Sequence, residues 1–247
     1  MYSLRELSAR TFGTIDQVLT GSAASPIIGS SHQSSSRIRL RTAALIVLVA
    51  GLSYGSAMGC YAAVANQRAW TEQWLQMLYS GMKVPLLILA TLLIALPSFF
   101  ILNTLFGLRQ HFKESLKAIL LAQAGLVIIL LSLAPITLFV YVSVSPMQRA
   151  YSLAVLWNAI AFGGSSVTAQ LLLRKNYRQL IRQNPKHRMM VWVWIFVYAF
   201  VGIQMAYVLR PFIGSPSDEI SFFREDPFEN AYVKVFQLIW SATDLWF

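Results

Sequence analysis

VPLLILATLLIALPSFFILNTLF, residues 84–106, runs for 23 residues without a charged or histidine side chain. A bilayer's hydrocarbon core is about 30 Å thick and takes ~20 mostly apolar helical residues to cross, so this stretch reads as a membrane span. Four more stretches read the same way: about Thr42 to Val64 before it, then about Ala118 to Val142, Ala150 to Leu173 and Met189 to Leu209. None holds an ionisable residue away from its ends. Arg41, Lys83, Lys117, Arg149, Arg174, Arg188 and Arg210 stand at the edges, where long basic side chains reach the headgroups. The fold class expected is all-α: a polytopic bundle of five transmembrane helices over residues 42–209, flanked by amphipathic helices in residues 1–41 and 210–247.

Composition agrees. The 247 residues are 56% hydrophobic and only 12% charged, where a soluble domain carries about 25% charged residues. That argues against a soluble globular enzyme and a disordered chain. The formal charge of +10 is unevenly placed. The tail before the first span and the loops after spans two and four hold 14 of the 20 basic residues, and six of the ten acids follow span five. Basic residues favour the cytoplasmic side of short loops, which puts the N-terminus in the cytoplasm and the C-terminus outside, as an odd number of spans requires.

The first 40 residues are polar and lack the early apolar run of a secretory signal. Ser3 and Glu6 have capping-box spacing, and Leu4, Leu7, Phe12, Ile15, Val18 and Leu19 recur at helical intervals, so residues 3–20 read as an amphipathic helix before a Ser/Gly-rich tether. At the other end, Asp226, Pro227 and Glu229 make a helix start. Phe228, Tyr232, Phe236, Ile239, Trp240 and Trp246 then fill one side of a helix suited to an interface plane or to docking on a neighbouring subunit. Trp70, Trp74, Tyr141, Tyr151, Trp192 and Trp194 read as interfacial belts.

Gly51, Gly55, Gly59 and Ala63 recur every fourth residue and form a smooth row that admits another helix closely. The partner of that row is either the protein's own bundle or a separate subunit. Arg174, Lys175, Arg178, Arg182, Lys186 and Arg188 make the loop after span four dense enough to contact anionic headgroups at ~1 kcal/mol per basic residue. Tyr177 is its lone aromatic, too little for the stacking platform of a single-stranded nucleic-acid site, so no nucleic-acid partner is expected. Asn158, Gln170 and Gln204, with Gly163 and Gly164 midway along span four, mark the one conceivable solute path. Pro85, Pro97 and Pro135 could kink the helices that carry them.

The chemical inventory is thin. His32, His111 and His187 lie in hydrophilic segments with no pair facing another inside a span, and Cys60 is single. No phosphate loop, nucleophile elbow or metalloprotease motif is present. No catalytic residue, metal site or cofactor is expected, and spans empty of ionisable groups offer no proton relay.

Five spans behind a polar N-terminal tail resemble the layout of Yip1-type membrane proteins. Gln204 to Pro216 (QMAYVLRPFIGSP), followed by Phe222-Phe223-Arg224-Glu225, resembles a group of uncharacterised bacterial multi-span proteins, as does Leu96-Pro97 through Asn103 to Gly107. The resemblance implies topology and a bacterial inner-membrane setting. The expected role is a non-catalytic scaffold or accessory subunit that contacts other membrane proteins, with a small channel or transporter for a neutral or weakly polar solute as the alternative.

Overall fold

The structure is a computed structural model that describes residues 40–64, 69–145 and 149–210, with Gly13, Ile15, Asp16, Val18, Phe212, Ile213, Gly214, Phe222, Phe223 and Val233. The aromatic residues expected on the C-terminal helix, Phe228, Tyr232, Phe236, Ile239, Trp240 and Trp246, lie outside the described residues, as does most of the expected N-terminal helix. Regular structure among the described residues is entirely helical: α1 (Leu40–Gly59), α2 (Tyr61–Val64), α3 (Trp70–Leu105), a 3-10 turn (Arg109–His111), α4 (Phe112–Val144), α5 (Ala150–Gln183) and α6 (Lys186–Val208). Among the described residues five helices are long and apolar enough to cross a membrane.

Two helices outrun the apolar stretches that announce them by ten residues or more. α3 has 36 residues and starts at Trp70, and α5 continues ten residues past Leu173 to Gln183. At 1.5 Å per residue α3 is ~54 Å long, well beyond a hydrocarbon core. Pro85, Pro97 and Pro135 all sit inside continuous helices. α3 stops where Gly107 takes φ +73°, so that Leu108 N–H donates to the Asn103 carbonyl at 2.8 Å and Gly107 N–H to that of Thr104 at 3.0 Å. This is the Schellman arrangement, which glycine enters without steric penalty.

The spans close into a ring. α1 packs against α3 and α4, α4 against α5, α5 against α6, and α6 returns to α3. In α4 every residue from Leu121 to Val127 is buried, and Val18 is buried in the same core cluster. The tightest seam joins α1 to α3 through the small-residue row. A methyl carbon added at Gly55 would lie 2.3 Å from the Ser80 carbonyl oxygen, and one at Gly59 would lie 2.6 Å from Met77 Cα. A methyl carbon added at Gly51 would lie 3.2 Å from Pro85 Cβ. The row therefore belongs to the protein's own bundle, and Ala63 continues it only as a half-buried residue of α2. Close backbone approach of this kind replaces the hydrophobic drive that helices lack in lipid.

Candidate functional site

The candidate site lies where α5 turns into α6. Asn184 precedes Pro185, which restricts it to extended backbone, and it sits at φ −148°, ψ 117°. Its side-chain oxygen accepts from Lys186 N–H at 3.0 Å, which starts α6 at once. So tight a turn lays the end of α5 beside the start of α6. Arg174, Lys175, Arg178, Arg182 and Arg188 then line one open groove of about 680 Å³. Lys186, grouped with them from sequence, does not line it.

The groove has two chemistries. Among the described residues its cations stand without any acidic residue in the lining, and Leu171, Ile181, Val191 and Trp192 supply an apolar wall. The Arg174 guanidinium stacks over Trp192 with 4.1 Å to the ring centroid, an arrangement that fixes a cation while leaving its N–H donors free for an anion. Leu171 and Trp192 are themselves exposed. The sequence shows the cations as one dense basic cluster. Sequence reasoning missed the apolar wall, although Pro185 at the turn and Trp192 two turns beyond it were the available signals.

The other sequence-derived positions do not gather into one site. Asn158 is buried and committed to the bundle. Its Nδ2 donates to Tyr141 Oη and to the Ala154 carbonyl, both at 2.7 Å, while its Oδ1 accepts from Tyr54 Oη at 3.5 Å. This ties α1, α4 and α5 together. Gly163 and Gly164 face outward, and nothing approaches within 4 Å of a methyl added at either. α5 stays continuous through them. Gln170 is half-buried with its Oε1 buried and without a hydrogen-bond partner, and Gln204 on α6 is half-buried. Gln123, deep in α4, accepts from Tyr198 Oη at 2.9 Å.

Three readings change. Tyr141 and Trp194 are buried, not belt residues: Tyr141 joins the Asn158 network, and Trp194 packs edge-on to Phe99 at 4.9 Å. Trp70 and Trp74 are exposed, as a belt requires. Lys83 is fully buried within α3 instead of reaching outward, with Phe222 placed 5.3 Å over its ammonium. His111 and His187, distant in sequence, meet at the α5–α6 end of the bundle with ring nitrogens 3.4 Å apart. Among the described residues no group of three or more His, Cys, Asp or Glu could hold a metal ion.

A further contact was invisible in the sequence. The Phe212 carbonyl accepts from Gln76 Nε2 at 3.2 Å and from Ser80 Oγ, so the chain leaving α6 folds back onto α3. Gly214, at φ +73°, lies so near Gln76 that a methyl there would come within 3.0 Å of its Cδ. No family model, curated protein or solved structure matches this chain.

Proposed function

We propose that the protein is a non-catalytic scaffold or accessory subunit of the bacterial inner membrane. In this reading its α5–α6 turn and N-terminus face the cytoplasm, where the basic groove contacts anionic headgroups. The observation that carries the proposal is how the polar side chains of the spans are used. Asn158 with Tyr141 and Tyr54, Gln123 with Tyr198, and Trp157 with Thr137 at 3.0 Å bind one helix to another. Side chains committed this way rigidify a bundle and line no passage. The outward position of Gly163 and Gly164 weakens the solute-path alternative further.

Crosslinking in intact membranes, followed by purification of the full chain in mild detergent, tests the scaffold role. A stoichiometric membrane-protein partner is expected, and a lone monomer without crosslinked partner would overturn it. Liposome flux lost on Asn158→Leu in a variant that still folds would move the assignment to the channel or transporter.

A further inference from the structure

We infer that the α5–α6 groove is a discrete site for one anionic phospholipid, its phosphate held by the arginines and an acyl chain laid along Leu171 and Trp192. The inference rests on the membrane placement and headgroup contact proposed above, and it deepens them from a diffuse attraction to a bound molecule.

Shape, charge and position all bear on it. A volume of about 680 Å³ falls within the ~300–1,000 Å³ usual for small-molecule sites. Leu171, Arg174, Arg178 and Arg182 follow one another at steps of three, four and four, so they share a face of α5. That face changes from apolar to cationic within a turn, at the level where the apolar stretch of α5 ends and the helix continues with basic residues. Across the groove Arg188 and Trp192 repeat the pair of chemistries on α6. A ligand matching both walls is amphiphilic and anionic. A soluble phosphate ester satisfies the arginines but leaves the exposed apolar surface of Leu171 and Trp192 uncovered. Arginine forks suit phosphate oxygens in pairs, and an arginine already stacked on Trp192 loses less freedom on binding.

The test separates a built site from a charged surface. The full chain in detergent is exchanged against phosphatidylglycerol or phosphatidylcholine, and retained lipid is counted by native mass spectrometry. One phosphatidylglycerol per chain is expected, retained about tenfold over phosphatidylcholine. The double variant Arg174→Lys, Arg178→Lys keeps every charge but removes the fork and the stacking, and it should lose most of that preference while matching wild type in melting temperature. An unchanged preference in the lysine variant means diffuse attraction and overturns the site. Displacement of the lipid by equimolar glycerol phosphate assigns the groove to a soluble phosphate compound and overturns the lipid. A preference that survives while crosslinking finds no partner would leave this site standing and remove the scaffold role alone.

Discussion

Replacing Gly55 with alanine adds one methyl group and should cost the bundle about 3 kcal/mol, the upper end of the usual overpacking penalty. The new carbon would lie 2.3 Å from the Ser80 carbonyl oxygen, 2.8 Å from Gly81 Cα and 3.0 Å from the Gly81 carbonyl oxygen. All three obstacles are backbone, so no rotamer change relieves them. Carbon contacts settle near ~3.5–4.0 Å, so α1 and α3 must part by roughly 1 Å, a gap that forfeits up to about half of each dispersion contact along the seam. Gly51 against Pro85 and Gly59 against Met77 lie on that seam and loosen together. Gly163→Ala supplies the control. It is the same change inside a helix, with nothing within 4 Å of the added carbon, and alanine's better helix propensity makes it neutral or slightly stabilising. Thermal unfolding of both variants in one detergent should place Gly55→Ala roughly 6–12 °C below wild type, at ~2–4 °C per kcal/mol for a chain of this size, and Gly163→Ala at or just above wild type. Gly81→Ala should fall between them, because its nearest obstacle is the movable Ser56 Oγ at 2.7 Å. Equal melting points for Gly55→Ala and Gly163→Ala would refute the close approach of α1 to α3.

Asn158→Leu should lower stability by about 1–2 kcal/mol, since interhelical hydrogen bonds in bilayers average ~0.6 kcal/mol and reach about 1.7; Tyr141→Phe should show the smaller part of that loss in the same melting assay. Gly214→Ala forces a left-handed backbone on a residue with a Cβ and pushes it into Gln76, so a loss of about 1–2 kcal/mol is expected, and a melting point equal to wild type would show that the Phe212–Gly214 segment does not rest on α3. The proposed orientation is checked in a Cys60→Ala background, where Lys175→Cys should react with an impermeant maleimide only after the membrane is opened; labelling of intact cells would reverse the topology.

The spans were legible because lipid imposes a requirement on every residue in them: backbone bonds close within each helix and side chains stay apolar. The α1 row was legible for the same reason, although the spacing of Gly51, Gly55 and Gly59 shows only that something packs closely. Ser80 and Gly81 on the facing helix turn out to be what packs there. The groove cations were legible as a charge cluster. Their convergence with Leu171 and Trp192 depended on a turn of two residues, Asn184 and Pro185, that folds distant stretches of sequence side by side. The His111–His187 contact joins residues 76 positions apart and depends on how the helices pack, which residue spacing does not show.

Lys83 shows why an apolar run is a poor guide to where a helix begins. The uncharged stretch starts at Val84, which made Lys83 an edge residue, yet α3 starts at Trp70 and carries Lys83 well inside its length. Gln73, Gln76, Ser80 and Lys83 follow at steps of three, four and three, so they form one polar stripe along α3, and all four are buried. Hydropathy reads such a stripe as a surface for water or headgroups. Here Phe212, Gly214 and Phe222, from the chain beyond α6, cover much of it. The face of α3 that looks least suited to a bundle thus receives the exit segment, whose carbonyl at Phe212 needs donors that an apolar helix could not supply.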